Sequence, residues 1–403
     1  MGHRAAAITG LAEWAPQRVW DRPAFALEAC AALAAEALAD AGIAKDEVDG
    51  LLIPPLQESP MFGPSAAAEY LGVRASFAEV VDLGGASGAG MVWRAAAAIE
   101  VGACETCLVL CPSVPAPRPG ASAGSGGAAG PMRMPAFLGG DAWGSPQGLF
   151  EIPAGLVAAT PSFALVAKRY QAVHGLREET LARIAVAARH NAQANEHAIF
   201  HGKPIGIEDV MRSRRVCDPL KLLEIVMPCW GGAALVVTSA ARAARGPLRP
   251  VFVSGVGEQV THKSVTYAPD LLDNPIRAAA ERAFRMAGAS RSAVDLASPY
   301  DCYTITVLVT LENSGFCAPG RGAAFVDERD FRFDGGDFPV NTHGGQLGAG
   351  QPGLAGGLGH VTEAVRQLQG RAGKRQLPRC ELAYANGTGG MLAEQVALIL
   401  EGA

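Results

Sequence analysis

Several short runs of the sequence carry residue types that could do chemistry. Tyr300-Asp301-Cys302-Tyr303 ends an apolar stretch with a phenol beside a carboxylate. A phenol can shuttle a proton, although a free one titrates near pH 10. The same run also reads as a core tyrosine with a capping aspartate. Asn341-Thr342-His343-Gly344-Gly345 sets a histidine directly before a glycine turn. A lone histidine there is more often a hydrogen-bonded turn residue than a catalyst. Gly84–Gly90 and Gly344–Gly350 are two glycine-rich turns, each followed by a helical pattern, and such turns offer backbone N–H groups to an anion. The first is not a dinucleotide fingerprint, because it comes third in its unit instead of after the first strand.

Cys104, Cys107 and Cys111 resemble a metal triplet. Cys107-Leu-Val-Leu-Cys111 reads instead as a buried strand with those two thiols on one face and Cys104 opposite. His190, His197 and His201 share no metal-ligand spacing and read as surface residues. No metal site is expected.

The elements that position these residues repeat once. Ile8-Thr9-Gly10 is echoed by Val253-Ser254-Gly255. An alanine-rich helix ending at Ala41-Gly42 and followed by Val48-Asp49 is echoed by Ala287-Gly288 and Val294-Asp295. Gly84–Gly90 is matched to Gly344–Gly350, so Gly85 should superpose on Gly345 and Gly42 on Gly288. The spacing predicts helices over 26–41, 161–174 and 178–194, with Asn274-Pro275 starting another. Strands are expected over 106–110 and 382–385. Residues 1–245 form an N-terminal half with an insertion over about 112–235, and residues 246–403 form a C-terminal half. The Pro-, Gly-, Ala- and Ser-rich run 112–131 reads as a loop or cover.

The 403 residues carry 34 Lys plus Arg against 39 Asp plus Glu, a net charge of −5, which supplies no basic face for nucleic acid or anionic membrane. Hydrophobic residues at 49% exclude a disordered chain. No apolar run is long enough to span a bilayer, and no signal peptide or myristoylation pattern is visible. Nine cysteines in a long chain suggest free thiols and a cytoplasmic location.

Taken together, Val81–Gly90, Asp295–Cys317, Pro339–Gly350 and Gly387–Gly390 resemble the thiolase superfamily, in its sterol-carrier-protein-x and lipid-transfer-protein branch. The resemblance implies an α/β, duplicated, five-layer αβαβα fold, a dimer, and an acyl-CoA site between the halves. The nucleophilic cysteine of that branch falls on Gly85, in Gly85-Ala86-Ser87-Gly88. Its histidine before Asp-Cys falls on Tyr300, and that of its Gly-His-Pro falls on Gln351. Without a thiolate the usual acyl-enzyme cannot form.

The chain is similar in this respect to cysteine-lacking, thiolase-like aldolases of steroid side chains. These use a tyrosine at the position of Tyr300 and work with a small OB-fold partner; a second tyrosine found there falls on Gln351. The resemblance therefore implies a retro-aldol or aldol lyase on a β-hydroxyacyl-CoA. Tyr300 is the expected base or proton shuttle, and its side chain is expected to point into the space that Gly85 opens, which could also take the substrate's β-carbon. Gln351, His343 or N–H groups near Gly389 are expected to hold the thioester oxygen, with Ser87, Asp301, Tyr303 and Gly345 around the substrate. No metal or organic cofactor is needed, because the coenzyme A thioester acidifies its own α-carbon. A homodimer through the segment around Cys104–Cys111, and a heterotetramer with an OB-fold/zinc-ribbon protein, are expected. An acyltransferase using a displaced nucleophile and an inactive acyl-CoA-binding subunit are the rival readings.

Overall fold

A computed structural model describes residues 4–20, 24–117 and 145–403. The cover expected over 112–131 lies outside the described residues from position 118 onward. The first half contains β1 (Ala6–Gln17), α1 (Ala26–Ala41), β2 (Gly50–Ile53), α2 (Gly63–Leu71), β3 (Phe77–Val80), α3 (Ser87–Glu100) and β4 (Thr106–Ser113). Next come α4 (Ala159–His174), α5 (Glu178–Ala192), α6 (Ile207–Arg212), the small pair β5 (Arg215–Cys217) and β6 (Leu220–Lys221), β7 (Trp230–Ser239) and α7 (Ala240–Ala243). The remainder contains β8 (Val251–Val260), α8 (Ile276–Ala287), β9 (Leu296–Ser298), α9 (Thr304–Asn313), α10 (Gly322–Glu328), α11 (Gly345–Ala349), α12 (Ala355–Leu368), β10 (Leu382–Gly389) and β11 (Glu394–Gly402).

Nine strands form one sheet in the order β3-β2-β4-β7-β1-β8-β11-β10-β9. The order is close to a mirror about the β1–β8 contact. β7 and β11 each pair antiparallel beside the first strand of their half. Where the second half lacks a counterpart to β3, Val340 makes a lone parallel bridge to Ala297.

Strand alternation builds the layers. On β4, Cys107, Val109 and Cys111 join a central core, whereas Leu108 and Leu110 join the outer core under α1 and α2. On β11, Val396, Leu398 and Leu400 face the central core, and Ala397 and Ile399 the outer core under α8 and α9. Period 2 sends alternate residues to opposite faces. The central core also holds α3 and α12, so helices lie outside, between and outside the sheet faces. The expected fold is therefore observed.

Three echoes have a physical cause. A Cβ on Gly10 would meet Ala37 O and Ala41 Cβ at 2.6 Å, and one on Gly255 would collide with Ala283 O. Both glycines let a helix lie directly on its strand. Gly42 and Gly288 both have φ of 64° and end α1 and α8 as left-handed caps. Asp49 accepts the N–H groups of Glu105 and Thr106 at the start of β4, and Asp295 does so for Glu381 and Leu382 at the start of β10. The fourth echo is corrected. The helix leading into β4 is α3, and the helix leading into β10 is α12; Gly344–Gly350 instead encloses the extra five-residue α11. Abundant glycine made that match look closer than it is.

Cys104 is also corrected. It lies in the turn before β4, where strand alternation does not apply, and its thiol is hydrogen-bonded to that of Cys107. Nor is β4 available as a dimer contact, since it is paired on both sides, to β2 and β7.

Candidate active site

Tyr300 lies two residues beyond the end of β9 and is 5% exposed. Its N–H donates to Asn386 Oδ1 at 3.1 Å, and Gln351 Nε2 donates to its hydroxyl oxygen at 3.1 Å. Gln351 is fixed by its backbone, which bonds Met227 O and Cys229 N. Its Oε1 is buried with no partner. Burial raises the Tyr300 pKa well above the ordinary phenol value, and the neighbouring Cys302 adds to the shift; hydrogen bonding by Gln351 and Gln346 works in the other direction. The phenol is therefore neutral at physiological pH.

The Tyr300 side chain points into the space beside Gly85 as expected, and it fills that space, which leaves no room there for the substrate's β-carbon. A Cβ on Gly85 would collide with the Tyr300 hydroxyl and the Thr388 carbonyl oxygen. The Tyr300 oxygen thus occupies the volume that a side chain at 85 would need. Gly357, in the first turn of α12, completes the close approach, since a Cβ there would strike Gly85 O and lie 3.4 Å from the Tyr300 ring. Loss of the side chain at 85 and gain of the phenol at 300 are one steric arrangement.

Asp301 is fully buried and accepts the N–H groups of Gln346 at 2.8 Å and Leu347 at 3.2 Å, capping α11. Gly345 lets that carboxylate approach, because a Cβ on it would collide with Asp301 Oδ2. Tyr303 points away from Tyr300: its ring stacks on Phe163 of α4 at 4.5 Å and its hydroxyl pairs with Thr160. Ser87 is buried at the start of α3, where its hydroxyl accepts Leu83 N–H at 2.9 Å. Gly389 packs against Leu83 O and Glu394, near Gly84. His343 is 7% exposed, its Nδ1 has no partner, and burial lowers its pKa to about 4. It is a neutral imidazole whose ring meets that of His360 edge to face at 5.5 Å.

Sequence reasoning missed His360 and did not weigh Gln346 singly. His360 is fully buried in α12, with Nδ1 3.1 Å from Asn341 Oδ1 and Nε2 3.2 Å from both Asp301 Oδ1 and Gln346 Nε2. Its ring lies 5.8 Å from that of Tyr300. Helical spacing could have found it: Gly356 and Gly357 lie four and three residues before His360, hence on one face. A polar cluster of Tyr300, Asp301, Asn341, Gln346, Gln351 and His360 results. No group of three or more metal-ligating residues stands together among the described residues.

This fold and site define a thiolase-like α/β protein. The family model for the thiolase C-terminal domain-like region matches residues 257–402. The chain is 33% identical over 372 residues to the steroid side-chain-cleaving aldolase of Thermomonospora curvata, covering 91% of this chain and 90% of that protein. It is 32% identical over 341 residues to the 17-hydroxy-3-oxo-4-pregnene-20-carboxyl-CoA lyase of Mycobacterium tuberculosis, covering 83% and 84%. The solved Ltp2-ChsH2(DUF35) aldolase superposes with a TM-score of 0.84 at 27% identity, covering 99% of this chain and 98% of that one. The chain belongs to the thiolase superfamily, in the sterol-carrier and lipid-transfer branch that includes steroid side-chain aldolases.

The expected homodimer and heterotetramer are corrected by a further structure. The SCP2-thiolase-like protein type 1 (STLP1) of Mycobacterium smegmatis, described as monomeric, matches with a TM-score of 0.70 at 17% identity, over 98% of this chain and 77% of that one. No described helix is long and apolar enough to cross a membrane.

Proposed function

We propose that this protein is a carbon–carbon lyase that cleaves a β-hydroxyacyl-CoA thioester bearing a bulky, steroid-like side chain, or forms it in reverse. The observation that carries this reading is the Tyr300 hydroxyl standing against Gly85, in the volume a nucleophile's side chain would need. The names of the relatives support the lyase class and the bulky substrate. Tyr300 is the proposed catalytic residue. Gln351, whose Nε2 donates to the Tyr300 oxygen and whose Oε1 is buried without a partner, supports a role in positioning that phenol and the substrate.

Retro-aldol cleavage removes a proton from the β-hydroxyl, breaks the Cα–Cβ bond, and leaves a carbonyl product and a thioester enolate. The enolate takes up one proton at Cα. The proton lost equals the proton gained, so Tyr300 can carry it from oxygen to carbon and end the turnover as it began. Burial keeps the phenol in the neutral form that starts such a relay. The thioester stabilises the enolate, with backbone N–H groups near Gly389 and the neutral His343 proposed as its partners. Ser87, Asp301, Tyr303 and Gly345 support the pocket through the contacts described above. The division into halves at 245/246 is proposed on the same grounds as the duplication, and a cytoplasmic location is supported by nine free thiols.

The test is cleavage of a steroid-side-chain β-hydroxyacyl-CoA, followed by release of the ketone or aldehyde and the shortened acyl-CoA. Turnover by the wild type and its loss in Tyr300→Phe are expected. A chain that binds the thioester without cleaving it would be the acyl-CoA-binding subunit instead.

A further inference from the structure

Behind Tyr300 lies a buried pair that the reaction as proposed does not use. Asp301 takes one main-chain N–H on each oxygen, which marks it as the charged carboxylate. A carboxylate with no exposure needs a compensating charge. His360 Nε2 stands 3.2 Å from Asp301 Oδ1.

Hydrogen placement on the imidazole follows from its neighbours. Asn341 Nδ2 gives a hydrogen to the Pro299 carbonyl at 3.0 Å, so its Oδ1 faces His360 Nδ1 as an acceptor. Nδ1 therefore carries a hydrogen. Pairing with Asp301 puts a second hydrogen on Nε2, and the ring is an imidazolium. The Gln346 amide, 3.2 Å from Nε2, must then turn its oxygen to the ring. That turn provides a donor for Gln346 Oε1, which otherwise has none.

The same amide reaches Tyr300. The Gln346 side chain is hydrogen-bonded to the Tyr300 hydroxyl, and Gly356 lies against both the Gln346 and the Gln351 side chains. Gln351 already donates to the Tyr300 oxygen, so the phenol's own hydrogen needs an acceptor. We propose that His360, held as an imidazolium by Asp301, is a positioning residue that turns the Gln346 carbonyl to the Tyr300 hydroxyl, so that in the resting site the phenol's hydrogen is held there and a lone pair of its oxygen faces the substrate hydroxyl. At turnover that hydrogen leaves for Cα as the substrate's proton arrives. This rests on the lyase reading for its catalytic meaning, but not for its geometry.

The experiment is ring ¹⁵N NMR of wild-type protein labelled at histidine, at pH 7. One imidazole should show hydrogen on both nitrogens, and its signals should disappear in His360→Gln. A bare nitrogen on His360 overturns the proposal. In addition, Gln346→Met should lower kcat roughly 10- to 100-fold with little change in KM, as expected for a lost hydrogen bond to a reacting group; an unchanged kcat also overturns it. If either variant fails to fold, the wild-type spectrum alone decides, with assignment of the two-hydrogen ring to the histidine nearest Tyr300 by through-space contacts. A wild type inactive on β-hydroxyacyl-CoA, or a fully active Tyr300→Phe, removes the lyase reading while the spectrum still decides this one.

Discussion

At the residue scale, position 85 and position 300 make one choice between them. A Cβ at 85 and a phenol oxygen from 300 cannot share the same volume. Tyr300→Phe keeps the ring packing and removes only the oxygen, so kcat should fall by about 10²–10⁴-fold, the usual contribution of a general acid–base group. Thermal unfolding should be nearly unchanged. Gly85→Cys puts a thiol back at the start of α3 but drives its Cβ into the tyrosine oxygen. Denaturant titration should show a loss of about 1–3 kcal/mol, the cost of overpacking a filled core. Tyr300→Ala should cost less in the Gly85→Cys background than in the wild type, a coupling of at least about 0.5 kcal/mol. Strict additivity in that cycle would mean the two positions do not compete for space.

His343 gives the same scale a pH test. Its folded pKa of about 4 lies below that of an exposed imidazole because burial disfavours its charge. Above about pH 6.5 both folded and unfolded forms are neutral, and the residue adds no pH dependence. As pH falls from there towards 4, the unfolded chain binds a proton that the folded chain refuses, so stability falls. The full loss is on the order of 3 kcal/mol. Urea midpoints for wild type and His343→Gln, compared between pH 7 and pH 4.5, should diverge, with the variant losing less. Parallel pH curves would show that His343 is already charged in the folded protein.

At the element scale, the duplication rests on contacts that a sequence can announce. Gly10 and Gly255 each allow a helix onto a first strand, Gly42 and Gly288 each end that helix, and Asp49 and Asp295 each tie down the strand that follows the central helix of a half. These were legible because each requirement is met by one or two residue types at a fixed spacing. The match of Gly84–Gly90 to Gly344–Gly350 misled because glycine recurs for several reasons. Around α11 it admits the Asp301 carboxylate, and around α3 it admits Tyr300. His360 was illegible for a related reason, since its partners Asp301, Asn341 and Gln346 come from separate segments that meet only in the fold. The element contacts can be tested directly. Gly255→Val would push a branched side chain into the backbone of α8, and should cost more than about 2 kcal/mol in a denaturant titration. Gly335→Val, at a glycine whose added Cβ meets nothing within 4 Å, is no control because its φ of 106° already disfavours a side chain. Gly206→Ala is the better comparison, with its nearest atom at 3.7 Å and no positive φ, and should cost little.

At the scale of the whole molecule, the composition expected free thiols, and the structure distributes nine of them through the layers without a disulfide. Their placement bears on mechanism. Burial pushes the thiols of Cys30, Cys229, Cys302, Cys317 and Cys380 up to about 12. At pH 7.5 such a group is thiolate in a fraction on the order of 10⁻⁵–10⁻⁴. Cys302 is the thiol next to the site, yet it lies in the apolar core around Tyr303 with its sulfur against the Thr306 hydroxyl at 3.5 Å. Cys104 differs, since its hydrogen bond from Cys107 lowers its pKa, but it lies in the turn before β4 and is 6% exposed. Cys217, in the small pair of short strands, and Cys317 are the two partly buried thiols, and burial holds Cys317 in its unreactive protonated form. Brief iodoacetamide treatment of the folded protein should therefore alkylate Cys217 first, as read by peptide mass analysis, and leave turnover of a β-hydroxyacyl-CoA intact. Inactivation that tracks alkylation of Cys302, and that the acyl-CoA prevents, would make that thiol the nucleophile and return the protein to acyl-transfer chemistry.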